Sequence, residues 1–272
     1  MNKTKIEGIY YKIKDDKILI VDSLKGKWKI ERINSKYDNA IDEILTNSFI
    51  NSVGNIEKPS LNNFNLLIVD TTDLCNLRCK YCSMNATNTG RRLKENEFYI
   101  AFDEFLKLPN ISEFLTIEFS GGEPLMNFKF IHNVVPIILS KAGKHNININ
   151  FSIQTNGTLF NDNILDFIKK YNFSVGISID GFKKWNNHRV FGNNVEAYDK
   201  IMNGINSLKN KSIPFSVLGV ITNYEQYDSY LQFVYENDIN YFRLNTLANI
   251  GRSENLNLSK NNIQKLYDKY AK

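Results

Sequence analysis

Hydrophobic and polar residues follow two different patterns along the chain. In residues 8–33, apolar side chains recur in short runs such as Ile18–Val21, a pattern typical of β-strands. We expect two or three strands here, with turns at Asp15-Asp16 and Lys25-Gly26-Lys27. The spacing of apolar residues in Asp38–Phe49 predicts a short helix after them.

From residue 65 onward, strand-like and helix-like segments alternate, which is typical of a parallel sheet. The predicted strands are Leu66–Thr71, Leu115–Ser120, Ile147–Gln154, Ser174–Ile179, Phe215–Ile221 and Tyr241–Asn245. Between them, segments such as Tyr198–Leu208 place apolar residues at the i, i+3, i+4, i+7 spacing of an amphipathic helix. Because crossovers between parallel strands are right-handed, the helices should lie outside a curved sheet. The predicted fold class is α/β, a partial (β/α)6 TIM-like barrel with a small N-terminal β-rich unit.

These patterns divide the chain into four predicted parts. Residues 1–50 form a small N-terminal β/α unit, and residues 51–64 form a linker rich in Asn with a Gly and a Pro. Residues 65–255 form the barrel core. Residues 256–272 begin a C-terminal helix capped by Ser259, and the chain is expected to stop before a further domain.

Composition and charge narrow the possible functions. With 42% hydrophobic residues the chain can fill a core, and it contains no long apolar run that would span a membrane or act as a signal peptide. We therefore expect a cytoplasmic protein with no membrane partner. The net charge of +5 equals the excess in residues 1–36, where ten Lys or Arg face five acids. This basic patch could attract an acidic partner or could be an ordinary solvated face, and no nucleic-acid module accompanies it.

All three cysteines lie in one short stretch after the first predicted barrel strand. Cys75, Cys79 and Cys82 have the spacing C-x3-C-x2-C. Three thiolates from one loop can hold an iron–sulfur cubane and leave one iron open to a small chelating molecule. An odd number of cysteines argues against a disulfide framework, and structural zinc would need a fourth ligand that the three histidines do not supply at a suitable spacing.

Further motifs follow the next three predicted strands. Ser120-Gly121-Gly122-Glu123-Pro124 follows the second strand, Thr155-Asn156-Gly157 the third and Asp180-Gly181 the fourth. Two adjacent glycines permit close backbone approach. Because ligands bind at the carboxyl ends of parallel strands, we expect these segments and the cysteine loop to share one active site.

The cysteine spacing, with Tyr81 just before the last cysteine, resembles the signature of radical S-adenosylmethionine (SAM) enzymes. The resemblance implies a [4Fe-4S] cluster with Cys75, Cys79 and Cys82 as metal ligands and catalytic residues. It implies that the open iron chelates SAM, whose reductive cleavage gives a 5'-deoxyadenosyl radical that abstracts hydrogen from a substrate. It also implies an external electron donor of the flavodoxin or ferredoxin type.

The same resemblance implies a set of contacts to SAM. The amino group of SAM would be bound by Glu123 and by the backbone of Gly121 and Gly122. The carboxylate would be bound by Ser178 and Arg189, with Asp180 beside them as a further contact. The ribose would lie near Asn156 and the adenine against Tyr81. For Asp180 and Arg189 the alternative is a helix-capping carboxylate and a surface cation. Val220, Ile221 and Leu244 could line an adenine slot but are interpreted more simply as core.

Four segments together resemble the branch of radical SAM enzymes that modifies peptides and proteins, which includes ribosomal-peptide maturases and sulfatase-maturing enzymes. They are S-G-G-E-P-L, Q-T-N-G-T-L, S-I-D-G and the pair His188-Arg189. The resemblance covers residues 65–255 and implies a peptide or protein substrate, which the N-terminal unit could capture by strand addition.

One departure from that branch is the absence of any cysteine after Cys82. Members usually carry a cysteine-rich C-terminal SPASM domain with auxiliary clusters, so either the chain is truncated or a partner supplies that portion. Two other functions remain open: a radical SAM enzyme of small-molecule cofactor biosynthesis, or an inactive binding remnant.

Overall fold

The computed structural model divides into two compact units, Met1–Ser60 and Leu61–Lys272. It describes residues 2–3, 9–14, 17–22, 27–32, 64–247, 250–255 and 265. The helix predicted at 38–49 and the linker up to residue 63 lie outside these ranges. Of the predicted C-terminal helix, only Lys265 is described, and it is helical.

The N-terminal unit contains an antiparallel sheet. Its strands, in the spatial order β1-β2-β3-β4, are β1 (Asn2–Lys3), β2 (Ile9–Lys14), β3 (Lys17–Asp22) and β4 (Lys27–Arg32). Lys14 pairs with Lys17, so two residues connect β2 to β3 at the position where the sequence predicts a turn. The sequence predicts two or three strands here; three are observed, and a two-residue strand at the edge is added to them.

The second unit is built on a six-stranded parallel sheet. Its strands are β5 (Phe64–Asp70), β6 (Ile111–Ser120), β7 (Asn148–Thr155), β8 (Ser174–Ser178), β9 (Phe215–Ile221) and β10 (Phe242–Thr246). The helices between them are α1 (Glu95–Phe105), α2 (Phe128–Gly143), α3 (Asp162–Lys170), α4 (Tyr198–Asn210) and α5 (Gln226–Glu236). The strands pair in sequence order from β5 to β10. This curled half-barrel confirms the predicted fold class and each of the six predicted strands.

The alternation of side chains along the strands explains why the sheet forms in this way. In β7, Phe151 and Ile153 are buried, while the polar Ser152 and Gln154 between them are only partly buried. Period-two alternation puts the apolar set on one face of the sheet, and there Phe151 stacks on Phe119 and Phe173 with ring centroids 6.1 and 5.1 Å apart. The helices bury their apolar stripes in the same core cluster, and the other face of the sheet carries both polar and apolar side chains.

All six strands run in one direction, so their carboxyl ends lie along one edge of the sheet. The cysteine loop follows β5 at this edge, and each later strand is followed there by a loop. None of the helices in the described part of the chain combines the length and the apolar character that crossing a bilayer requires.

Candidate active site

A cavity of about 380 Å³ opens at the carboxyl edge of the sheet. All three cysteines line it, and so do seven of the eight predicted SAM contacts, the exception being Asp180. Strands β9 and β10 add Leu218, Val220 and Asn245 to its walls, and Arg252 lies in the wall beyond β10. The structure therefore brings the separate sequence motifs to one place.

Gly121 and Gly122 are needed because the cysteine loop packs directly on them. Gly121 has a φ of +118°, and a Cβ on Gly122 would lie 2.3 Å from the carbonyl oxygen of Leu74. Gly122 N donates to the carbonyl of Thr72 at 2.8 Å, and Glu123 N donates to that of Leu74 at 2.7 Å. The two glycines thus admit the backbone of the cysteine loop, in addition to bordering the cavity.

Glu123 is almost completely buried and is held by protein donors. Its carboxylate accepts from Thr155 Oγ1 at 2.6 Å, from the backbone N of Asn156 at 2.8 Å and from that of Leu125 at 3.2 Å. Burial raises the pKa of Glu123 to about 7, although these hydrogen bonds oppose the shift. Three of roughly four acceptor positions are used, so Glu123 ties the end of β6 to the end of β7 and has one position left for a ligand.

Asn156 links the end of β7 to the cysteine loop. Its Nδ2 donates to Asn76 Oδ1 at 2.9 Å, and its Oδ1 accepts from Thr158 Oγ1 at 2.6 Å. Asn76 Nδ2 donates in turn to Thr158 Oγ1 at 2.8 Å. The same Asn156 Nδ2 lies 3.9 Å from the Sγ of Cys75. Asn156 therefore fixes the loop beside a thiol; it also lines the cavity, and its contact near a ribose stays a prediction.

Arg189 and Asp180 form a buried ion pair behind the cavity wall. The Nε and Nη2 atoms of Arg189 each donate to a different oxygen of Asp180 at 3.0 Å, and Val220 N donates to Asp180 Oδ1 at 2.9 Å. The hydroxyl of Tyr81 donates to Asp180 Oδ2, and the Tyr81 ring lies 5.3 Å from the guanidinium carbon of Arg189. Neither the surface cation nor the helix cap considered for these residues is observed.

Asp180 differs in role from the sequence expectation. It does not line the cavity, and its two oxygens are occupied by Arg189, Tyr81 and Val220. It is therefore a positioning residue for Arg189 and for the aromatic residue of the cysteine loop. Arg189 itself reaches the cavity and has three of its five N–H donors outside this ion pair.

The remaining predicted residues divide between the cavity and the core. Ser178 lines the cavity and accepts from Gln154 Nε2 at 3.0 Å. Val220 also lines it, while Ile221 belongs to the buried core and Leu244 packs against that core. The alternation of side chains along β9 accounts for the different positions of Val220 and Ile221.

Sequence reasoning missed several residues of this site, among them Asn76, Gln154, Leu218 and Arg252. Gln154 and Leu218 belong to predicted strands, and the side-chain alternation of those strands could have found them, since both lie on the face opposite the buried residues. Arg252 is placed by the turn after β10. Its only sequence signal is a Gly-Arg pair beyond the sixth strand end.

The thiols fit an iron–sulfur cluster on the chemistry of the donors. Burial raises the pKa of Cys75 to about 12 and also raises that of Cys79. Buried thiolates are costly unless a metal compensates them, and metal binding deprotonates thiols outright.

Comparisons with known proteins identify the family of the chain. The family model described as "Radical SAM superfamily" matches residues 69–234. The chain is 32% identical over 173 residues to a cysteine-type anaerobic sulfatase-maturating enzyme of Clostridium novyi, covering 59% of this chain and 44% of the relative. The chain spans about half the length of the curated relatives it matches.

Two solved structures show the same fold at low sequence identity. The structure titled "Native anSMEcpe with bound AdoMet and Cp18Cys peptide" matches with a TM-score of 0.60 and 22% identity, covering 67% of this chain and 50% of that one. Streptococcus suis SuiB bound to precursor peptide SuiA matches with a TM-score of 0.54 and 16% identity, covering 98% of this chain and 68% of that one.

Proposed function

Since the chain belongs to the radical SAM superfamily, we propose that it cleaves SAM reductively at a [4Fe-4S] cluster and abstracts a hydrogen atom from a peptide or protein substrate. The observation that carries the proposal is that three buried or half-buried thiols, from one loop, share a cavity with the ends of the other parallel strands. The relationship to sulfatase-maturating enzymes supports a polypeptide substrate.

The cluster would be held by Cys75, Cys79 and Cys82, and when bound it supplies the electron that cleaves SAM to a 5'-deoxyadenosyl radical. The chain's own residues fix the geometry around it. Because Asn156 and the glycine pair hold the cysteine loop against β6 and β7, the three thiols are presented together at the cavity wall.

The residues for SAM are those that border the cavity. We assign the carboxylate of SAM to the free donors of Arg189 and to Ser178, because a guanidinium matches a carboxylate in a two-pronged geometry. We assign the amino group to Glu123, whose remaining acceptor position suits a charged amine. Tyr81 orients Asp180 and Arg189 through its hydroxyl, and its ring borders the space for the adenine.

The N-terminal unit is proposed to recognise the substrate. Residues 9–32 supply three antiparallel strands, and a strand at the edge of such a sheet can pair with an extended peptide. SuiB, whose solved structure covers nearly all of this chain, was solved bound to its precursor peptide. By analogy we propose that residues 1–50 bind the leader part of a precursor, aided by their basic charge.

The central test is SAM cleavage by the reconstituted protein. Anaerobically reconstituted and dithionite-reduced protein should form 5'-deoxyadenosine from SAM, and the Cys79→Ala variant should form none. A candidate peptide added to the reaction should change in mass by mass spectrometry. Protein that binds zinc in place of iron at one equivalent per chain, and forms no deoxyadenosine, would refute the proposal.

Substrate capture has a separate test. Deleting residues 1–55 should weaken the binding of a precursor peptide while SAM cleavage in the absence of peptide continues. Unchanged precursor affinity after the deletion would exclude a role of the N-terminal unit in recognition.

A further inference from the structure

The segment Ile250–Asn255 completes the wall of the cavity and is hydrogen-bonded to the cysteine loop. Arg252 N donates to the carbonyl of Cys82 at 3.0 Å. Its side chain continues the contact: Nε donates to the carbonyl of Cys79 at 2.8 Å and Nη1 to that of Ala86 at 3.0 Å. One residue thus binds three carbonyls of the loop that carries all the thiols.

Gly251 shows how closely this segment sits on the loop. Its φ is +64°, and a Cβ would lie 2.5 Å from the carbonyl oxygens of both Cys82 and Ser83. The turn is held from within, since Ser253 Oγ donates to the carbonyl of Ile250 at 2.7 Å and Ile250 N donates to the same Oγ at 2.9 Å. The position of Arg252 is therefore fixed by its own segment as well as by its hydrogen bonds.

The charge of Arg252 also distinguishes it from Arg189. Both arginines line the cavity, but Arg189 is neutralised by Asp180. Within the described ranges no carboxylate bonds to Arg252, and its Nε lies 2.8 Å from the carbonyl oxygen of Cys79. A cation next to a cluster ligand favours added negative charge, and the potential of an iron–sulfur cluster responds to nearby charge and hydrogen bonds.

We propose that Arg252 is a positioning residue for the cluster: its three hydrogen bonds hold the cysteine loop in shape, and its positive charge beside Cys79 makes the cluster easier to reduce. This inference rests on the cluster proposed above. It extends that proposal to a residue outside the cysteine motif, more than 160 residues away along the chain.

The test compares Arg252→Gln and Arg252→Lys with the wild type, all reconstituted anaerobically. Arg243→Gln serves as the matched control, because Arg243 is an exposed cation on β10 and its removal changes the net charge by the same amount. Three quantities are measured: iron per chain, the rate of iron loss to a chelator, and the midpoint potential of the cluster by EPR-monitored titration. Circular dichroism of each apoprotein reports the fold.

We expect Arg252→Gln to lose iron several-fold faster than the wild type and to hold its cluster at a more negative potential. Arg252→Lys keeps the positive charge but loses the planar guanidinium that reaches two carbonyls at once. The potential of its cluster should therefore stay close to that of the wild type, while its iron should still be lost several-fold faster than from the wild type. A merely structural role would leave the potential unchanged. Where the glutamine variant does not fold, Arg252→Met removes the charge at a similar side-chain size and decides: a more negative potential than that of the lysine variant supports the inference, and an equal potential overturns it.

The inference is overturned if the Arg252 variants retain iron and potential as Arg243→Gln does. That result is distinct from a failure of the proposed function, in which the wild type itself takes up no cluster.

Discussion

Removing the charge of Asp180 should destabilise the barrel far more than removing the charge of an exposed carboxylate. Asp180 and Arg189 are 1% and 6% exposed at their side chains, and their Nη2–Oδ1 distance is 3.0 Å. Asp180→Asn keeps the shape of the side chain but leaves a buried guanidinium without its counter-charge. Breaking a buried pair from one side costs about 3–5 kcal/mol. For a unit of about 150–250 residues, where 1 kcal/mol corresponds to about 2–4 °C, the melting temperature should fall by about 6–20 °C.

Asp199→Asn is the matched control for this experiment. Asp199 pairs with Lys183 at 2.9 Å, but their side chains are 75% and 55% exposed. Exposed pairs contribute about 0–1 kcal/mol, so this variant should melt close to the wild type. The assay is urea and thermal denaturation of the reduced apoprotein, followed by circular dichroism, which separates stability from cluster binding.

A second substitution checks the cause. Adding Arg189→Met to Asp180→Asn removes the uncompensated charge, so the double variant should recover part of the lost stability. The reasoning fails if Asp180→Asn costs no more than Asp199→Asn, or if the double variant is less stable than the single one.

Three further predictions concern the neighbouring residues. Burial raises the pKa of Glu123 from its ordinary 4.5 to about 7, so between these pH values the folded state keeps a proton that the unfolded chain releases. The free energy of unfolding should therefore fall as the pH rises through this window, by up to about 3 kcal/mol. Glu123→Gln should flatten this pH dependence in urea denaturation of the apoprotein, and an equal slope in both proteins would contradict the assignment. Gly122→Ala should lower the free energy of unfolding by about 1–3 kcal/mol and should lower iron uptake. Gly192→Ala is the control: its added Cβ has nothing within 4 Å, so its free energy of unfolding should stay within about 0.5 kcal/mol of the wild type. Equal behaviour of the two variants would show that the loop does not pack as described. Cys79→Ala should lose the brown chromophore and all SAM cleavage, and persistence of either would exclude it as a ligand.

The fold could be predicted because its signals are local and repeated. The barrel strands show runs of apolar residues or an alternation of apolar and polar residues, and the segments between them show the apolar spacing of an amphipathic helix. For β9 this pattern predicts the observed bounds, Phe215–Ile221. The position of the site followed from the common direction of the strands. The cysteine site could also be predicted, because three thiols within eight residues, in a chain with no cysteine elsewhere, favour a metal centre.

The hydrogen-bond partners of the side chains could not be predicted in the same way. Asp180 follows a strand end, as a ligand-binding residue would, but its carboxylate accepts from Val220 N on the next strand and from Arg189. That choice depends on the orientation of one side chain. Arg252 could not be predicted because its three acceptors are backbone carbonyls, which every residue has and which no residue type therefore marks in the sequence.

The bond from Arg252 to the carbonyl of Cys79 spans 173 residues, and this separation affects the protein while it is being made. At a synthesis rate of about 5–20 residues per second, roughly 10 to 35 s pass between the emergence of Cys79 and that of Arg252 from the ribosome. During this interval we expect the thiols to be reachable by oxidants and by competing metals that bind sulfur strongly. Until Arg252 has emerged, its three hydrogen bonds cannot shape the cysteine loop, so this part of the site is complete only after residues far along the chain have been made.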